Sequence, residues 1–284
     1  MKRRHGTILP LTLALLALTA TVLAGICRQN MRDVLRVGQD ADELQRRWGI
    51  LSCQSTLLPR ASALLAQSEK LSGHPAAAVQ SDVTLGGRRF LLLFADEQAK
   101  LNLNAAYWRH GRSRIEQLAR TAARIGTSDL AVRVRPMTGG RRPKPDDPAP
   151  PVFGSFGQIF DESATRSSQP LVEATRQITC WGGGKLNWRR TSLASLQAIL
   201  PDDRQTVDRI LSQQRSDPQA PLAQFLGALQ LTPEKRRSME ELFTDSSTCQ
   251  SLWIVCGGDP GAPARLAVRE IGDDGRTRVY CFSW

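Results

Sequence analysis

The sequence predicts an α+β protein with one long N-terminal helix, and three observations predict it. A charge-free apolar run fills Thr7 to Cys27. An amphipathic repeat of three and four residues follows it. Strand-like stretches then occur on both sides of a helical middle, so sheet material is found early and late in the 284 residues.

The apolar run is about 21 residues long, close to what a helix needs to cross a hydrocarbon core. Lys2, Arg3 and Arg4 precede it, and Gly6 stands between them and the run. An ordinary secretory signal has a shorter apolar region and small residues at its cleavage site, for which Leu23-Ala24-Gly25 is a poor match. Conventional cleavage there, a plain uncleaved anchor and removal of the leader alone all stay open. The basic leader, the glycine and the uninterrupted apolar helix together resemble the leader of type IV pilins and pseudopilins. In those families a membrane-embedded prepilin peptidase cuts after the glycine, and the new first residue is N-methylated. The resemblance implies cleavage between Gly6 and Thr7 and a retained transmembrane helix over 7–27. Pro10 then lies in its first turn, where the missing N–H costs little. Arg28, Arg32 and Arg36 beyond the run nearly balance the leader's charges, so the positive-inside rule alone does not orient the chain. The resemblance does, with the N-terminus cytoplasmic and the body periplasmic.

A net charge of +11 raises nucleic acid or anionic membrane as partners, but the basic residues are spread along the chain, as on a solvated surface. The cysteines Cys27, Cys53, Cys180, Cys249, Cys256 and Cys281 include no C-x-x-C pair and no histidine-rich spacing, which argues against a zinc site. Cys256 and Cys281 both fall in late strands and are the candidate disulfide. Only His5, His74 and His110 are present, and no nucleophile–base spacing points to catalysis. The expectation is a protein that is not an enzyme.

From Gln29 to about Lys70, Met31, Val34, Leu35, Leu44, Trp48, Leu51, Leu57 and Leu58 recur as on one helix face. This predicts a stalk helix over 28–72 that continues from the membrane, with Pro59 a kink or restart. Gly86-Gly87 between two strand-forming runs, Ala77–Leu85 and Arg88–Phe94, signals a two-residue hairpin. In Ala95–Ala106, Asp96 and Glu97 are adjacent and point to opposite sides of an extended chain, so they do not converge as a catalytic pair. Asn102 and Asn104 alternate with Leu101 and Leu103, predicting asparagines on one side bonded to neighbouring backbone and leucines in the core. Arg112 to Ile125 reads as a basic amphipathic helix, completing a block over 73–135.

Met137 to Pro151 holds five prolines and two glycines and reads as a connector over 136–151 that divides two lobes. Phe153, Phe156, Ile159 and Phe160 follow it in a short docking segment. Gly182-Gly183-Gly184-Lys185 is followed by Leu186, which fails the phosphate-loop pattern. Thr191 or Ser192 caps a helix through Leu193, Leu196 and Ile199, and a second helix carries Val207, Ile210 and Leu211. The pair has a helix-hairpin-helix outline. Its hairpin, Pro201-Asp202-Asp203, offers no glycine and sets two carboxylates where a phosphate would sit. Thr232-Pro233-Glu234 opens another helix as cap, first-turn proline and first-turn acid. These make a helical module over 152–246, and 247–284 supplies three more strands, the last two turning at Asp274-Gly275. The late strands are expected to pair back onto the early ones.

Several stretches in order, "HGTILPLTLALLALTA", "DEQAKLNLNAA", "KLNWRRTSLASLQAIL", "QRSDPQAPLAQFLGAL" and "FTDSSTCQSLWIV", resemble the minor pseudopilins K of type II secretion systems. The resemblance implies a pilin-like antiparallel sheet with a helical insertion, and Asn102, Asn104, Asn187 and Thr191 as residues of its structural motif. It implies a non-catalytic tip or initiation component of a periplasmic pseudopilus that supports protein export across the outer membrane. The family tolerates a non-acidic fifth mature residue, and Leu11 stands there. Implied partners are other minor pseudopilins, inner-membrane secretion components and prepilin peptidase, in the inner membrane and without nucleic acid. Family members can bind calcium, but the segment from Arg112 to Ser168 is short, so no calcium site is assigned and no other cofactor is expected. The alternative is a membrane-anchored helix-hairpin-helix DNA-binding protein of a competence-like system.

Overall fold

A computed structural model of the chain describes residues 8–125, 130–137, 150–161, 169–257, 264–272 and 274–283. The leader with Gly6 and Thr7, and most of the proline-rich segment, lie outside them. Two units are distinguished, Met1–Gly49 and Ile50–Trp284.

One helix, α1, runs from Ile8 to Leu57. Gly25 and Gly38 lie within it without interrupting it, because each costs only about 1 kcal/mol against alanine in a helix interior. Pro59 does what the sequence predicts. A single 3₁₀ turn, Leu58–Arg60, contains it, and α2 (Ala61–Ser72) restarts the helix.

In the second unit, β1 (Ala78–Leu85) and β2 (Arg88–Asp96) form the expected hairpin. Gly86 and Gly87 have φ of 57° and 79°, the two positive values that a tight type I′ turn demands. The late strands β3 (Cys249–Cys256), β4 (Ala264–Ile271) and β5 (Thr277–Ser283) complete one antiparallel sheet in the order β1-β2-β3-β4-β5. The late strands do pair back onto the early ones. β2 and β3 are antiparallel neighbours, with Leu92 opposite Ile254 and Phe94 opposite Leu252.

Alternation along these strands gives the sheet two apolar faces. On one, Phe90, Leu92, Phe94, Leu252 and Ile254 pack with Ile50, Cys53, Leu58, Ala61 and Leu65. On the other, Leu93, Trp253, Leu266 and Val268 share a core with the buried face of α4 (Arg112–Ile125), including Ile115, Leu118 and Ala122, and with Leu171 and Val172 of α5 (Gln169–Ala174). Val152, Phe153, Phe156, Ile159 and Phe160 are buried in that same core. The proline-rich segment therefore does not separate two lobes, because residues before and after it share one apolar cluster within the second unit.

A third core belongs to the helical module. Trp188 stacks on Phe225 at 4.0 Å between ring centres. Around them pack Leu196 of α6 (Leu193–Ile199), Val207 and Ile210 of α7 (Arg204–Ser216), Leu226 of α8 (Leu222–Ala228) and Met239 of α9 (Pro233–Leu242). Ser192 is the residue that caps α6, accepting from Ser195 N, and Thr232 caps α9.

The Cys256–Cys281 bridge is not formed. β4 lies between β3 and β5, and Cys281 faces Ala267, whose other partner is Leu252. The two cysteines are thus two strand spacings apart, about 10 Å, and four residues apart along the sheet, whereas bridged Cα atoms lie within about 7 Å. Cys256 instead lies buried in the cluster that holds Cys53. Burial, and then Cys256 itself, push the Cys53 thiol above its usual pKa. Cys281 is exposed and accepts a hydrogen bond from Gln54 at 3.1 Å.

Candidate functional site

Two features stand out as functional candidates: the uncovered apolar part of α1 and a buried polar junction in the second unit. The first follows from composition. α1 includes an 18-residue window of mean hydropathy 2.1, so it is long and apolar enough to cross a membrane. Leu9, Leu11, Leu13, Leu15, Leu16, Leu18, Val22 and Leu23 are exposed. The hydroxyls of Thr12, Thr19 and Thr21 return to carbonyls of Leu9, Leu16 and Leu18 at 2.8 to 2.9 Å. Such back-bonding satisfies a hydroxyl inside its own helix, which is what an apolar surrounding requires.

The junction gathers three of the stretches quoted from the sequence. β2 ends at Asp96, and the chain then makes a 3₁₀ turn, Glu97–Ala99, capped by the Asp96 side chain through Gln98 N at 2.9 Å. Asp96 is fully buried. Its Oδ1 also accepts from Ser247 Oγ at 2.6 Å, and its Oδ2 accepts from Asn187 Nδ2 at 2.9 Å and Arg190 Nη1 at 3.1 Å. Arg190 turns its other edge to Glu69 of α2, donating from Nε at 2.6 Å and Nη2 at 3.0 Å. Burial works against the Arg190 charge, but Glu69 and Asp96 outweigh it and hold its pKa above the usual value.

Glu97 has a separate partner set, as expected for a side chain pointing away from Asp96. Lys100 Nζ donates to its Oε1 at 2.5 Å, with side chains 2% and 1% exposed. Ser251 donates to the same oxygen. Oε2 is buried with no partner among the described residues. Burial, then Glu97, push the thiols of Cys180 and Cys249 well above their usual pKa, so they are inert protonated groups.

Asn102 and Asn104 bond to backbone as expected, and Leu101 and Leu103 are buried. The geometry differs from the predicted alternation, because helix α3 (Leu103–His110) starts between them. Asn102 caps it by accepting from Ala105 N at 2.9 Å, and donates to Trp181 O at 2.9 Å. Asn104 donates to Cys180 O at 2.6 Å and Phe153 O at 3.1 Å. It also accepts from Val152 N at 2.8 Å and Phe153 N at 2.7 Å. A capping asparagine and a strand asparagine look alike over four residues. Thr191 is buried, its N–H bonded to Asn187 O at 3.0 Å. Gly182, with φ of 87°, lets the chain pass Gln98, whose Cγ would lie 3.2 Å from any Cβ there. Gly182 therefore serves close approach at the junction and Gly184, with φ of 75°, close approach to Ala105, whereas a Cβ on Gly183 would meet nothing within 4 Å.

Lys100, Arg190, Glu69, Ser247 and Ser251 were not singled out from sequence. Charged and hydroxyl residues without a local pattern read as solvated, whether in a loop, on a helix such as Glu69 or in a strand such as Ser251, and only the fold buries them. Beside the junction opens a cleft of about 720 Å³ lined by Lys70, His74, Arg189, Arg190 and Asp245 among others.

For calcium the junction's chemistry does not fit. Its carboxylates are paired with Arg190, Lys100, Asn187 and serines, and the one oxygen left over among the described residues, Glu97 Oε2, is a single donor where calcium takes about six to eight. Among the described residues no group of three or more His, Cys, Asp or Glu side chains converges for a metal. The helix-hairpin-helix outline is real as a helix pair, α6 and α7. Its hairpin holds a carboxylate, Asp203, which accepts from Thr206 N at 3.1 Å and pairs with Lys235 at 3.0 Å, so the Thr206 N–H is taken and a negative charge stands where a phosphate would sit.

The hydrogen bond from Lys235 and those from Thr206 hold the Asp203 carboxyl below its usual 3.8. A lowered folded pKa stabilises above the unfolded value and is lost as pH falls through the folded one. The Asp203→Asn variant keeps a cap acceptor but loses the ion pair, at about 0.2–1 kcal/mol near neutral pH. Its deficit against wild type should shrink below about pH 4. An unchanged deficit in urea unfolding at pH 3 would contradict the pairing.

No protein-family model matches the chain, and no curated protein matches it. Among solved structures it is similar to a chain in the crystal structure of the GspK–GspI–GspJ complex from the enterotoxigenic Escherichia coli type 2 secretion system. The identity is 14% and the TM-score 0.47, over 88% of this chain and 99% of that one.

Proposed function

We propose that this chain is a non-catalytic, pseudopilin-like assembly component, anchored in the inner membrane with its body periplasmic. The observation that carries the reading is α1, an unbroken helix of 50 residues whose first part is apolar, uncovered and internally satisfied in its hydroxyls. A helix of that kind is stable only in lipid or against other helices, and its Ala14, Ala17, Ala20, Ala24 and Gly25 are small residues that let helices approach closely. The convergence of "DEQAKLNLN", "NWRRT" and "SSTCQS" at one junction gives physical meaning to the stretches on which the pseudopilin resemblance rests. By that resemblance the partners are other minor pseudopilins, inner-membrane secretion components and prepilin peptidase. The place is the tip of a short filament that supports secretion.

The experiment is the intact mass and first residue of the protein purified from a host that has prepilin peptidase. A chain that starts at N-methylated Thr7 is the expected result. A start at Met1, or near Ile26, would remove the reading's main support. DNA affinity that falls steeply with salt would favour the anchored DNA-binding alternative.

A further inference from the structure

Beyond the apolar run, α1 carries Arg28, Arg32 and Arg36 at four-residue spacing. All three are exposed, and none has a hydrogen bond or ion pair among the described residues. Each step of four residues turns the helix about 40° past a full turn, so the three stems lie within roughly 80° on one face. Their axial separation from first to last is about 12 Å.

These distances match a bilayer's edge. The headgroup region on each side of the hydrocarbon core is about 5–7 Å thick, so with a rise of about 1.5 Å per residue Arg28 starts within it, Arg32 starts at its outer edge and Arg36 starts beyond it. Helical side chains lean toward the N-terminus, which here is toward the apolar run. The long arginine stem carries the guanidinium further in that direction, so all three reach the phosphate level.

Charge is sorted along the same helix. Residues 28–36 hold three arginines and Asp33, a net +2, whereas 37–47 hold Asp40, Asp42 and Glu43 against Arg46 and Arg47, a net −1. In the outer stretch Glu43 is engaged by Arg46 and Arg47 at 2.6 and 2.7 Å, which lower its pKa to about 2. The basic turns next to the apolar run have no such acid partner.

We propose that Arg28, Arg32 and Arg36 form a docking stripe for anionic phospholipid headgroups where α1 leaves the membrane. A guanidinium meets a phosphate through two parallel N–H donors. A zwitterionic lipid offers the same phosphate but cancels its charge, so selectivity for the anionic lipid is the signature. The inference rests on the apolar run being a retained membrane span.

The test uses the full chain reconstituted in phosphatidylcholine bilayers with trace spin-labelled phosphatidylglycerol or phosphatidylcholine. The motionally restricted fraction of each label gives their relative association with the protein. Wild type is expected to favour the anionic lipid severalfold, up to about fivefold for each arginine fully engaged. The R28Q/R32Q/R36Q variant should lose at least about half of that preference, the triple lysine variant should keep most of it, and raised salt should weaken it. Equal association of both lipids with wild type overturns the proposal. So does a preference that the triple glutamine variant retains, which would assign it to Lys2, Arg3 and Arg4. A chain that carbonate washing strips from the bilayers would instead overturn the membrane-span reading, and this inference with it.

Discussion

Replacing Lys100 by methionine is expected to destabilise the 50–284 unit by about 3–5 kcal/mol in urea unfolding. Lys100 and Glu97 are both almost wholly shielded from water, so removing the ammonium leaves a carboxylate buried without its counter-charge. Ser251 still donates to that carboxylate, but one hydroxyl cannot replace an ammonium. The Glu97→Gln/Lys100→Met double variant removes both charges and should recover much of the loss, because a buried pair is worth little net while half a pair is costly. A single variant that loses less than about 1 kcal/mol, the range of exposed pairs, would show that the pair is solvated.

Arg190→Leu is the second large effect, again about 3–5 kcal/mol. Arg190 joins α2, the end of β2 and the 187–191 turn by three hydrogen bonds to two carboxylates. Without it Asp96 keeps Asn187, Ser247 and Gln98 N but no cation. Arg190→Lys keeps the charge and loses the forked contact with Glu69, so its loss should fall between wild type and Arg190→Leu. Faster hydrogen exchange should appear together in residues 96–98 and 187–191. Exchange changes confined to α2 would mean that Glu69 alone depends on Arg190.

Elements with periodicity or distinctive turn chemistry were legible in the sequence. The long helix, the restart at Pro59, the Gly86-Gly87 hairpin and the Thr232-Pro233-Glu234 helix start each follow from residues next to one another. The pairing of late strands onto early ones was inferable from their number and type. What was not legible depends on distant residues meeting. Asp96 and Arg190 are 94 positions apart, and neither carries a local sign that it will be buried. The Cys256–Cys281 expectation failed because strand identity says nothing about which strand lies between. The two-lobe expectation failed because a proline-rich stretch reports on its own backbone and not on whether its flanks share a core.

The strand order also sets a schedule. β3 is the middle strand of five, yet it follows the whole helical module in the sequence, and β2 must wait for it. Until then the hydrogen-bonding edge of β2 that β3 covers stays unpaired, and a two-stranded hairpin is marginal by itself. Contacts so distant in sequence form slowly and leave sticky intermediates. A body built in this order keeps that edge open until residues 249–283 arrive, and its folding yield is governed by how soon they do.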